Sequence, residues 1–99
     1  MRVQFQSVNF KADQKLVDYV QERMDKLEHY YDHIIEGEVY LKVDNTNSRE
    51  NKIVEMKLSI PGNDLMVKKE NKSFEAATDI AMDVMKRQLR KRKEKERSL

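Results

Sequence analysis

Val3 and Phe5 alternate with Gln4 and Gln6 across residues 2–8, the period-two pattern of a strand with one buried face. Asp13 stands as an N-cap before Leu16, Val20, Met24, Leu27 and Tyr31, whose spacing of three and four predicts a helix over 13–31. Gly37 reads as the exit of that helix. Val39, Leu41 and Val43 alternate with Glu38, Tyr40, Lys42 and Asp44 as a second strand, and the polar run 45–51 reads as a hairpin loop. Val54, Met56, Leu58 and Ile60 alternate with Glu55, Lys57 and Ser59 as a third strand. Pro61-Gly62, a favoured pair at the centre of a type II turn, closes it, and residues 64–70 form a fourth. Ser73 caps a second helix, expected from 73 to about 95, with an apolar stripe of Phe74, Ala77, Ile80, Ala81, Val84 and Met85 and no breaker before Ser98. Such a helix is about 35 Å long at 1.5 Å per residue, whereas a strand of about seven residues spans about 23 Å. Its last turns are therefore expected to project past the sheet. The order predicts an α+β fold, a β-α-β-β-β-α two-layer sandwich with a four-stranded sheet and two helices on one face.

Length confines this pattern to one domain over residues 1–99, because 99 residues provide one two-layer core and not two. With no cysteine, disulfides, thiolate metal sites and cysteine nucleophiles are excluded, and the core must hold the fold unaided. No run of about 18 apolar residues and no signal-peptide pattern is present, so a cytoplasmic protein without a membrane span is expected.

Charge changes the picture once it is divided along the chain. Residues 1–85 carry 12 Lys/Arg and 16 Asp/Glu, whereas 86–99 carry eight Lys/Arg and two Glu, so a net charge of +2 conceals an acidic body with a basic end of +6. On a helical wheel Glu75, Asp79 and Asp83 lie opposite the apolar stripe of the second helix. The same solvent-facing line continues through Lys86, Arg90, Lys93 and Arg97, with Arg87 and Lys91 alongside. The helix dipole favours a cation or two at a C-terminus, not eight. That density of charge is self-repelling unless a polyanion such as RNA releases its counterions against it. The first helix places Asp18, Glu22, Asp25 and Asp32 on one flank and Tyr19, Arg23, Lys26 and Tyr30 on the other. Cations for phosphates, interleaved with aromatics for bases or sugars, suit RNA recognition. Taken singly, Tyr19 and Tyr30 read rather as core edges with their hydroxyls in water, a reading that weakens beside the basic second helix.

Enzymatic readings are weaker. His29 and His33 have the i, i+4 spacing of a metal pair but lack an evident third ligand. No glycine-rich phosphate loop or nucleophile elbow is present. Met66 and Met82 read as flexible core fillers. The expectation is a binding protein without catalytic residues, cofactor, metal or small-molecule substrate. A different class, an adaptor whose basic helix docks on an acidic protein partner, fits the same charge pattern.

Three segments carry a resemblance to a known family: Lys26-Leu27-Glu28-His29-Tyr30-Tyr31-Asp32-His33-Ile34, Val39-Tyr40-Leu41-Lys42-Val43, and Ala76-Ala77-Thr78-Asp79 leading into the basic run 86–95. Their order and spacing over nearly the whole chain resemble the ribosome hibernation-promoting factors. The resemblance implies a fold similar to double-stranded-RNA-binding domains and a partner in the small ribosomal subunit, its RNA and nearby proteins. It further implies that the messenger and transfer RNA channel is occupied and translation inhibited during stationary phase or stress. Carried over by position, Lys86, Arg87, Arg90, Lys91, Lys93, Arg23 and Lys26 would contact ribosomal RNA, the same stripes that the helical wheel picks out; Tyr19 and Tyr30 join the candidate RNA-binding set on the wheel alone. Glu75 stands where the family often has an aromatic. The length resembles the family's short form, without a C-terminal dimerisation domain, which leaves pairing of ribosomes and silencing of single ribosomes both open.

Overall fold

The computed structural model describes residues 1–44, 49 and 51–97, so the expected hairpin loop at 45–51 lies largely outside the described residues. The chain forms β1 (Val3–Val8), α1 (Gln14–Lys26), a 3₁₀ turn (Leu27–His29), β2 (Glu36–Val43), β3 (Lys52–Ile60), β4 (Asn63–Asn71) and α2 (Phe74–Arg97). The strands lie side by side in chain order. β1 is parallel to β2, the α1 crossover returning the chain to the same end, while β2, β3 and β4 pair antiparallel.

Alternation decides the faces. Val39 and Leu41 of β2, and Val54, Met56, Leu58 and Ile60 of β3, join one buried cluster with Leu16, Val20, Met24 and Leu27 of the first helical segment. The same cluster takes in Phe74, Ala77, Ala81, Met82, Met85 and Leu89 of α2, so both helices cover one face of the sheet. The expected caps form: Asp13 Oδ1 accepts from the Leu16 amide at 2.8 Å and Ser73 Oγ from the Ala76 amide at 3.1 Å. Gly62 has φ +79°, the left-handed value that the third position of a type II turn demands. Asn9 takes φ 68° in the link to α1, where its side-chain amide donates to the Val43 carbonyl at 3.1 Å.

Several sequence expectations change. The α-helix stops at Lys26 rather than 31, and the amides of Tyr30 and Tyr31 both close onto the Leu27 carbonyl as the chain tightens. That contraction keeps Leu27 and Tyr31 buried while redirecting the chain toward β2. Ile80 is exposed, and Leu89, one turn beyond the expected stripe, is fully buried. Met82 does fill the core, whereas Met66 is exposed.

Gly37 is not a helix exit but a buried residue inside β2, paired with Val3 and Leu58. A Cβ built there would stand 2.8 Å from Met24 Cε and 3.3 Å from Met1 Sδ. Glycine here leaves room for the flexible ends of Met24 and Met1 against the sheet and does not serve a turn. Gly37→Val is expected to cost about 1–3 kcal/mol through overpacking, read as a lower urea midpoint. A variant as stable as the wild type would show that Met24 moves aside freely.

Candidate nucleic-acid interface

The positive end of the chain is built by periodicity. In α2 the buried positions run through Met85 and Leu89, which leaves Arg87, Arg90, Lys91 and Lys93 exposed and Lys86 half-buried at the helix flank. Arg92, on the inner side, donates through Nη2 to the Pro61 carbonyl in the β3–β4 turn at 2.9 Å. The helix is thus still fastened to the sheet at Arg92. Arg90 and Lys91, between the buried Leu89 and the fastened Arg92, are exposed on the helix.

Tertiary packing brings the two predicted cationic sets together. Arg23 and Lys26 of α1 and Lys86 of α2 line one groove of about 300 Å³, which Asp79, Met82 and Asp83 complete. Tyr30 lies beside it, its ring centroid 5.4 Å from Lys86 Nζ. Arg87 sits on the outer side, where its Nε reaches the Asp83 carbonyl at 3.4 Å. Arg90, Lys91 and Lys93 continue the cationic surface along the helix.

Not every predicted cation is free. Arg23 Nε is 3.0 Å from Asp79 Oδ1, and its guanidinium carbon stacks 3.6 Å from the centre of the Tyr19 ring. The Tyr19 hydroxyl donates to the same carboxylate at 2.9 Å. Burial and the Asp79 contact both push the Tyr19 hydroxyl up from its ordinary value. Burial works against the Arg23 charge, but Asp79 and Tyr19 together outweigh it and raise that group too. Asp79 therefore joins the helices instead of only pointing to solvent, and the Tyr19 hydroxyl is bonded rather than left in water. Arg23 Nε is occupied by this bond. Lys26 is held loosely by Glu22 at 3.7 Å, an exposed pair of small energetic weight.

The acidic flank of α1 splits as well. Asp25 accepts from the Met1 amine at 2.8 Å, and Glu28 stands 2.5 Å from it. These bonds raise the amine's proton affinity. Of the two histidines, His29 closes the 3₁₀ turn and His33 lies beyond it, its ring edge-on to Tyr31 with centroids 5.4 Å apart. Neither is on an α-helix, so the i, i+4 ligand geometry is not formed, and among the described residues no three histidine or carboxylate side chains converge as a metal site.

Sequence reasoning missed one constellation. The buried Tyr31 donates from its hydroxyl to Glu96 Oε1 at 2.7 Å, and Arg92 Nε meets the same oxygen at 3.2 Å. The tyrosine bond, then the guanidinium, hold the Glu96 carboxyl below its ordinary value. A buried tyrosine signals that a partner is needed, but nothing local points 65 residues ahead.

Known proteins resemble the chain over nearly its whole length. Residues 3–97 match the family model described as Sigma 54 modulation protein / S30EA ribosomal protein. A ribosome hibernation promoting factor of Pseudomonas putida is 34% identical over 99 residues, covering all of this chain and 93% of that protein. A ribosome hibernation promotion factor of Bacillus subtilis is 31% identical over 97 residues, 96% of this chain but 50% of the relative. Among solved structures, the N-terminal domain of Thermus thermophilus Protein Y superposes with a TM-score of 0.80 at 23% identity, over 92% of this chain and 98% of that one. A ribosomal subunit interface protein of Coxiella burnetii reaches a TM-score of 0.83 at 18% identity, over 94% and 98%. At those identities the structural likeness is one of fold, the four-stranded mixed sheet under two helices. The family follows from the nearly full-length family match and the 34% identity over the entire chain: this chain belongs to the S30EA ribosomal protein family, that of the ribosome hibernation promoting factors.

Proposed function

We propose that this chain associates with the ribosome as a hibernation factor, binding the small subunit in the messenger and transfer RNA channel and inhibiting translation by occupancy. Kinship supports the ribosome as partner, since the relatives carry hibernation in their names. The observation that supports RNA contact is the row of cations from Lys26 and Lys86, in one groove, through Arg87, Arg90, Lys91 and Lys93 along α2, on two helices packed into one core as far as Leu89. Long basic side chains on a fixed rod suit successive phosphates of a folded RNA. Tyr30 offers an exposed aromatic edge beside them, while Tyr19 and Arg23 act mainly through their bonds to Asp79. The function needs no chemistry, only occupancy in the cytoplasm, where ribosomes work. No helix among the described residues is long and apolar enough to cross a membrane.

If about five or six phosphates are neutralised, log affinity for purified small subunits falls with log salt at a slope of roughly −4 to −5. Co-sedimentation with small subunits over a salt series measures this. A flat dependence removes phosphate contact as the source of affinity, and failure to co-sediment with ribosomal particles at any salt returns the basic helix to a role on an acidic protein partner.

A further inference from the structure

Eight cations crowd residues 86–97, and the two acids among them, Glu94 and Glu96, have different surroundings. Glu94 is exposed and has no partner among the described residues. Glu96 accepts from the Tyr31 hydroxyl at 2.7 Å and from Arg92 Nε at 3.2 Å, while Arg92 Nη2 holds the Pro61 carbonyl at 2.9 Å. Tyr31 is only 3% exposed and belongs to the hydrophobic core, with the edge of His33 against its ring. The last turn of α2 is thereby tied to two fixed points, the core under α1 and the turn between β3 and β4. Leu89 is the final buried residue of the helix, so nothing apolar holds the turns after it. Unfastened, those turns repel themselves and fray, as helix ends do.

We infer that Glu96 is a positioning residue for RNA binding, an acid inside the cationic end of α2 that increases affinity by fastening the last turns to Tyr31 and, through Arg92, to Pro61. The inference rests on the RNA-binding reading above and adds to it a residue whose charge has the wrong sign for contact. Pre-organised cations meet phosphates without the cost of ordering the chain at the moment of binding. Where only a fraction of molecules hold the binding-competent helix end, apparent affinity falls by that fraction.

The test separates charge from position. Glu96→Ala and Glu94→Gln each remove one negative charge, and Tyr31→Phe removes none. Binding to purified small subunits at fixed salt is expected to weaken by about threefold to tenfold for Glu96→Ala and for Tyr31→Phe. Glu94→Gln is expected to bind as the wild type or up to about twofold tighter, as simple electrostatics requires. Amide exchange of the free protein is expected to quicken at residues 92–97 in the two weakened variants and nowhere in the central strands. The Tyr31→Phe ring still fills its core site and Glu96 lies at the helix end, so both variants keep the fold, which the unchanged exchange of β3 verifies. Tight binding by either Glu96→Ala or Tyr31→Phe, or unaltered exchange at 92–97, overturns this inference while leaving the RNA-binding reading intact. A wild-type chain that does not bind small subunits overturns both.

Discussion

Replacing Arg90 and Lys91 together by glutamate is expected to lower affinity for purified small subunits by about two orders of magnitude near physiological salt. Every phosphate left without its cation keeps its condensed counterion, roughly a fivefold effect at that ionic strength, and the introduced carboxylates add repulsion. The slope of log affinity against log salt is expected to become shallower by about two. Stability is expected to change little, because both side chains are exposed on the outer face of α2 and neither shares the Arg92 bonds to Pro61 and Glu96. Two acids near a helix C-terminus oppose the dipole by about 0.3–1 kcal/mol each, but they also relieve repulsion among the neighbouring cations. Full binding by the doubly reversed variant, with an unchanged circular dichroism spectrum, would place the RNA contact somewhere other than this helix.

Leu89→Ala is expected to have the largest effect on stability, about 3 kcal/mol within a general range of 2–5 for a buried leucine. Leu89 is wholly inaccessible and belongs to the core cluster, although six of the seven other residues from 86 to 93 are Lys or Arg. Its removal leaves a cavity where α2 passes from core helix to cationic rod. For a domain of this size such a change lowers the melting temperature by about 12–24 °C, a large part of the 5–15 kcal/mol that holds small domains folded. Leu89→Met, which keeps the volume, is expected to cost less than about 1.5 kcal/mol. Thermal and urea unfolding measure both, and a Leu89→Ala midpoint close to that of the wild type would mean that this part of α2 is not packed on the sheet.

Leu89 also illustrates how legible the chain is. Its place in the helix follows from periodicity, yet the surrounding charges hide it from a reading that ends the apolar stripe at Met85. Gly37 misleads in the opposite way. Glycine after a helix is a common stop signal, whereas here it is the position where Met24 presses against the sheet. The first helix ends early because the chain contracts onto the Leu27 carbonyl to reach β2, a demand of the connection that the three-four spacing of Leu27 and Tyr31 conceals.

The candidate site divides along the same line. Arg23, Lys26 and Lys86 are identifiable in the sequence as members of two separate cationic stripes, but their shared groove is made by the crossing of α1 and α2. Arg23 is a cation in the sequence and a bonded partner of Asp79 and Tyr19 in the fold. Contacts across 56 and 65 residues, Arg23 to Asp79 and Tyr31 to Glu96, leave no mark on local pattern.

By itself the sequence determined the element order, most of the buried face of each amphipathic strand and helix, both helix caps, the Pro61-Gly62 turn and the reversal of charge at residue 86. Each of these is a local property, set by side-chain period, backbone preference or the charges of adjacent residues. Only the tertiary structure decided that β1 lies parallel to β2 at the edge of a sheet in chain order, which cations stay available and which are taken by Asp79 or Pro61, and that Glu96 fastens the cationic end. Those outcomes depend on pairing between distant residues, whose free energy appears only once the core has brought them within a few ångströms.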